Sequence, residues 1–147
     1  MQKAGNCGDP VWVLSDAVVL ATARLSGTPD TPAALLELIA NADAVFHMIP
    51  SADELEGALS RLVGACLVTV GNHGIVVEPL GRELVARARG GSDGDPMARA
   101  HNLLALLEHV STEPVRWELD RAVYEAVVLE YRHTLWETYR ARRRRAF

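Results

Sequence analysis

The stretch from Pro50 to Leu84 constrains the fold of this chain most, because it combines a capped helix with a tight β-hairpin. Ser51 and Glu54 have the spacing of a capping box, in which each side chain bonds the backbone N–H of the other residue. Apolar residues then recur on one helical face, which predicts a helix over residues 51–64 with one buried side. The residues on that face are Leu55, Ala58, Leu59, Leu62 and Val63.

A β-hairpin is predicted directly after this helix. Two β-branched runs, residues 67–70 and 75–77, flank the sequence Gly-Asn-His-Gly at positions 71–74. Glycine and asparagine supply the positive φ angles that a hairpin turn requires. Pro79 cannot donate a ladder hydrogen bond and therefore ends the second strand. Cys66 stands at the start of the first run and is expected to be a small core side chain.

The helix pattern ELEGALSRLVGACLV, the hairpin and the exit EPLGR at 78–82 together resemble the third helix and wing of winged-helix domains. Domains of this kind occur in MarR-like and PadR-like bacterial regulators, and the resemblance covers residues 14–90. It implies that the Ser51 helix lies in the major groove of double-stranded DNA with the wing beside it. The DNA-binding residues that it implies are Ser60, Arg61, Asn72, His73 and Arg82.

The predicted fold is α+β: mainly helical with a small hairpin, a winged helix-turn-helix followed by C-terminal helices. Residues 1–13 are expected to form an N-terminal arm that Trp12 docks, and residues 14–90 the winged-helix domain. Helices are predicted from Ser15 or Asp16 to Ser26, from Pro32 to Ala42, from Gly81 to Arg89 and from Pro96 to Val110. The glycine-rich residues 91–96 form a linker, and residues 97–147 a helical extension.

The last helix is predicted from Val115 to Arg143 and is longer than a domain of this size needs internally. Trp117, Tyr124 and Tyr131 recur at intervals of seven. C-terminal helices build the dimer in PadR-like proteins, so this placement implies a homodimer. The expected interface residues are Trp117, Tyr124, Tyr131 and Leu135. The run Arg142–Arg145 either binds nucleic-acid backbone or an acidic partner, or solubilises the helix end.

The balance of acidic and basic residues is compatible with two functions. The net charge is −4, and residues 1–90 carry six basic and ten acidic side chains. Nucleic-acid binders usually show the opposite balance. The helix dipole favours Asp53 and Glu54 in the first turn, but it does not explain Glu56. The leading hypothesis is a dimeric, DNA-binding bacterial transcriptional regulator, and the alternative is a winged-helix protein–protein interaction module that binds no DNA.

Other classes of function have no support in the residues. There is no phosphate-binding loop and no catalytic constellation, and the five histidines and two cysteines lack metal-site spacing. We therefore expect no enzyme, cofactor or metal. No apolar run reaches the roughly 20 residues of a membrane span. Without a signal-peptide pattern, a cytoplasmic protein is expected.

Overall fold

A computed structural model describes residues 11–90 and 94–145 of the chain. Within these residues the protein has six helices and one two-stranded antiparallel sheet, which confirms the predicted α+β class with a long final helix. The predicted arm lies mostly outside the described residues, as do positions 91–93 of the predicted linker. The elements are α1 (Leu14–Ser26), α2 (Leu35–Phe46), α3 (Ala52–Gly64), β1 (Val68–Gly71), β2 (Gly74–Val77), α4 (Pro79–Arg89), α5 (Pro96–Leu107) and α6 (Arg121–Arg145).

The helix α3 ends in a Schellman motif that corrects the prediction for Cys66. The Leu67 N–H donates to the Leu62 carbonyl and the Cys66 N–H to the Val63 carbonyl, both at 3.0 Å. This pattern needs a left-handed residue just after the helix, and Cys66 takes it with a φ of 58°. Its thiol is consequently exposed rather than buried in the core.

The hairpin turns within the predicted residues 71–74, with two residues between its strands, and Val68 pairs with Val77 at its open end. The outer edge of β2 is bridged by Ala33, whose N–H and carbonyl bond the backbone of Ile75 at 2.8 and 2.9 Å. Gly74 has a φ of 129°, and a Cβ there would strike the Ala33 carbonyl. The predicted start of α2 at Pro32 is wrong, because this bridge keeps Ala33 extended and α2 begins at Leu35.

One hydrophobic core joins the two sides of the predicted linker. The helix α1 is buried on most sides, as predicted, and packs against α2, α3 and α5. Leu103, Leu107 and Leu119 belong to the same buried cluster as α1, α3 and the hairpin. Trp12 is 7% exposed and its Nε1 donates to the Val110 carbonyl at 3.0 Å, so Trp12 is held against the segment that follows α5.

The C-terminal helices differ from the predicted boundaries. The helix α5 ends at Leu107, and residues 108–120 form no helix before α6 begins at Arg121. The predicted helix start at Val115 is wrong because Asp120 caps α6. Its Oδ1 accepts from the N–H groups of Ala122 at 3.0 Å and Val123 at 3.2 Å. No helix of the described residues is long and apolar enough to cross a membrane.

Candidate functional site

The first candidate surface is the outer face of α3, which the sequence predicts to face DNA. The capping box is present: Ser51 Oγ accepts from the Glu54 N–H, and Glu54 Oε1 from the Ser51 N–H, both at 3.1 Å. Leu55, Leu59 and Leu62 are buried, which confirms the inner face. The outer face carries Asp53, Glu56, Ser60 and Arg61.

Residues 112–120, the covering segment, lie along this outer face. The Ser60 hydroxyl accepts from the Trp117 N–H at 3.0 Å and lies 3.1 Å from the Trp117 carbonyl. Near the end of α3, Thr112 Oγ1 donates to the Arg61 carbonyl at 2.8 Å. The Glu113 N–H donates to the Gly64 carbonyl at 2.9 Å. A Cβ at Gly64 would strike the Glu113 carbonyl, so only glycine admits the segment at this point.

Glu56 anchors the far end of the covering segment. Its Oε2 accepts from the Leu119 N–H at 2.8 Å, and its Oε1 lies 3.3 Å from Arg121 Nη2. The same Arg121 nitrogen lies 2.7 Å from Asp53 Oδ1, and this hydrogen bond is the main cause of the raised pKa of Arg121. Glu56, which the helix dipole does not explain, therefore holds the chain's own backbone.

Arg61 is turned away from the outer surface towards a buried carboxylate. Its Nε and Nη2 donate to the two oxygens of Asp16 at 2.8 and 2.7 Å. The Asp16 side chain is completely buried, and its Oδ2 also accepts from the Val13 N–H at 2.9 Å. Two predicted DNA contacts, Ser60 and Arg61, are thus engaged within the chain.

The other predicted DNA contacts lie around the hairpin. Asn72 and His73 are exposed at its tip. They line a groove of about 370 Å³ between the hairpin and residues 117–120. Arg82 is half-buried, and its Nη1 donates to the Val77 carbonyl at 2.8 Å. The five residues do not form one surface, and their contact with DNA stays a prediction.

The second candidate surface is α6. Tyr124 and Tyr131, two of the predicted interface residues, face the body of the same chain. The Tyr124 hydroxyl donates to the Pro50 carbonyl, and the Tyr131 hydroxyl to Asp43 Oδ2 at 2.6 Å. Burial and this bond to Asp43 raise the pKa of Tyr131 to about 12, and burial also raises the pKa of Tyr124.

The outward side of α6 and the part of the helix beyond Tyr131 are exposed. Leu135, the remaining helical member of the predicted interface, is 51% exposed. Leu129 is 71% exposed, Trp136 51% and Tyr139 52%. The rings of Trp136 and Tyr139 stack with centroids 5.7 Å apart, and the Arg140 guanidinium lies 5.0 Å from the Trp136 ring centre. Trp117 lies before α6 and packs on the core.

No known family, curated protein or solved structure matches this chain. The site must therefore be interpreted from its own residues. Among residues 11–90 and 94–145, no cluster of three or more histidine, cysteine or acidic side chains could hold a metal ion. The two candidate surfaces are the covered face of α3 and the exposed side of α6.

Sequence reasoning missed the covering segment and the outward side of α6. The signal for the covering segment is the pair Pro114 and Asp120, a helix breaker followed by a helix cap within a polar stretch. The signal for α6 is a second series of residues at alternating intervals of four and three, offset from the Tyr124–Tyr131 line. Its members are Glu125, Leu129, Arg132, Trp136, Tyr139 and Arg143.

Proposed function

We propose that this protein is a homodimeric protein–protein interaction module that assembles through α6 and does not read DNA with α3. The observation that carries this proposal is the contrast between the two surfaces. The outer face of α3 is bonded along its length to residues 112–121 of the same chain. The outward side of α6 has exposed aromatic and aliphatic side chains with no partner element in the described residues.

The six residues from Glu125 to Arg143 in the second series, here named the outer stripe, have the spacing of a coiled-coil seam. Alternating intervals of four and three place side chains on one line of a helix, where a second helix can pack. All six are exposed. The helix contacts its own body through Tyr124, Val127, Val128 and Tyr131, so the outer stripe can receive a partner without displacing those contacts.

The residue types along the outer stripe favour an antiparallel second copy. When two copies cross near residue 134, Glu125 of each lies opposite Arg143 of the other. Leu129 then meets Tyr139, and Arg132 meets Trp136. These are an ion pair, an apolar contact and a cation–π contact, and the two-fold axis repeats each of them. A parallel pairing would place Arg132 against Arg132 and Glu125 against Glu125, which is repulsive.

A charge-exchange experiment tests this arrangement. Light scattering on the wild-type protein at micromolar concentration should give twice the chain mass of 16.0 kDa. Glu125→Arg and Arg143→Glu should each weaken the dimer, and the double variant should restore it because the charges meet again in exchanged positions. Glu130→Arg, also exposed on α6 but outside the outer stripe, is the matched control.

The results that refute the dimer proposal are clear. A monomeric wild-type protein at micromolar concentration would eliminate it. A dimer that tolerates both single changes, or a double variant that stays as weak as the single ones, would eliminate the antiparallel register.

A dimeric DNA-binding regulator is the second candidate, and the cationic end of α6 is the observation that favours it. Residues 132–145 carry six arginines against one glutamate, whereas the whole chain has a net charge of −4. A cationic helix end of this kind suits a phosphate backbone. Any such contact would be made by Arg142–Arg145 and by the hairpin tip at Asn72 and His73.

Fluorescence anisotropy with mixed genomic DNA separates the two candidates. At about 50 mM salt, backbone attraction is strong, so a regulator should bind and should lose affinity steeply as salt rises. Replacing Arg142–Arg145 by glutamine should then flatten the salt dependence. No detectable association at low salt would eliminate the regulator and leave the interaction module.

A further inference from the structure

An apolar cavity of about 210 Å³ lies between four helices. Its walls come from α1, α2, α4 and α5. Most of the lining is hydrocarbon, and Leu25 at 51% exposure marks the side that opens to solvent. The apolar side chains that matter here are Leu25, Val45, Phe46, Val85 and Leu103.

Two arginines line this cavity, Arg89 from α4 and Arg99 from α5. Arg99 extends from α5 into the lining, and its Nε is buried without a hydrogen-bond partner among the described residues. A buried donor that has lost water and gained nothing is costly, more so when it is charged. Native proteins keep few such groups, and a bound ion or ligand is one explanation for each.

We propose that this cavity binds a small organic acid, with its apolar body among the four helices and its carboxylate on Arg99. The size of the cavity supports a compact ligand. A dry cavity of about 150 Å³ in another protein accommodates benzene, so 210 Å³ has room for one ring or a short branched chain together with a carboxylate. The lining supplies the apolar contacts and the guanidinium supplies the charge.

The composition of the site excludes two simpler occupants. A water cluster needs several polar partners for each molecule, and the walls offer mainly carbon. An inorganic anion would satisfy Arg99 but would leave the apolar lining, including the half-exposed Leu25, in contact with water. An amphiphilic anion matches both the apolar walls and Arg99. This site is independent of the dimer surface proposed on α6.

Benzoate and benzamide are the matched probes, because they share a ring and differ in charge. Chemical shifts of the Val85 and Leu103 methyl groups report binding to the wild-type protein at this site. Benzoate should bind at least about tenfold more tightly than benzamide, since charge-assisted hydrogen bonds are roughly twice as strong as neutral ones. Tenfold corresponds to about 1.4 kcal/mol.

Three variants complete the test. Arg99→Met should bring the two affinities within about twofold, because the ring contacts persist while the charge preference is lost. Arg87→Met, an exposed arginine of α4 outside the cavity, is the control and should preserve the preference. Ala21→Leu fills the cavity while leaving Arg99 in place, and should weaken both ligands.

Several results would overturn the proposal. Equal binding of the two probes to the wild-type protein would reduce the site to an unspecific apolar cavity. A benzoate preference that survives Arg99→Met would place the anion elsewhere. The absence of any methyl shift at about 10 mM benzoate, above a millimolar dissociation constant, would eliminate the site.

Discussion

Replacement of Arg61 by alanine should unfold this protein at a much lower urea concentration, because it strands a carboxylate in the core. Asp16 is completely buried and accepts two hydrogen bonds from Arg61 at 2.8 and 2.7 Å. After the change the Val13 N–H is the only donor to this side chain that remains among the described residues. Breaking a buried ion pair from one side costs about 3–5 kcal/mol. The Arg61 side chain is 26% exposed, so water can enter the space that it leaves and hydrate Asp16. The expected loss of stability therefore lies at the lower end of this range.

The assay is urea unfolding followed by far-UV circular dichroism, with Arg87→Ala as the control for loss of an exposed arginine. A second comparison isolates the charge: Asp16→Asn with Arg61→Ala should be more stable than Arg61→Ala alone, because no unpaired carboxylate remains. An Arg61→Ala protein within about 1 kcal/mol of wild type, less than a stranded buried charge costs, would refute the reasoning. Arg61 would then be available for the DNA contact predicted from the sequence.

Three further changes have defined outcomes. Leu59→Ala should lower the free energy of unfolding by about 2–5 kcal/mol because it leaves a cavity beneath α3, and a thermal melt equal to wild type would contradict the helix assignment. Cys66→Gly should raise stability by up to about 1 kcal/mol, because glycine adopts the left-handed φ without strain, and a lower melting temperature would contradict this. In the folded protein the pKa of Tyr131 is raised to about 12. The neutral hydroxyl therefore makes its full contribution to the free energy of unfolding below the unfolded pKa near 10, and this contribution is lost as pH rises through 12. Tyr131→Phe should therefore lessen the fall in stability between pH 10 and 12, and an unchanged slope would contradict the assignment.

The local signals in the sequence predicted the centre of the fold well. The capping pair Ser51 and Glu54, the apolar face around Leu59 and the Gly-Asn-His-Gly turn each act between near neighbours. Their geometry therefore needs no tertiary information. One error in this region comes from a long-range contact, because Ile75 holds Ala33 extended and delays α2. The other is local, because the Schellman motif after α3 turns Cys66 outward.

The candidate surfaces were harder to predict because they depend on which residues meet at long range. A seven-residue recurrence shows that Tyr124 and Tyr131 share a face of α6, but it does not show whether that face meets a partner or the chain's own body. Likewise, Ser60 and Glu56 lie on the outward face of α3 as expected. What covers that face comes from residues more than fifty positions later, which periodicity cannot reveal.

The outer face of α3 is exposed for a time during synthesis, because the covering segment is made later. A ribosome makes α3 and the hairpin well before residues 112–121, and domains fold from the N-terminal side as they emerge. For that interval Glu56 and Ser60 lack the backbone groups that later bond them. The growing chain thus displays a polar helix face that the finished protein conceals, and a chaperone or nascent-chain partner could distinguish the two by that face alone.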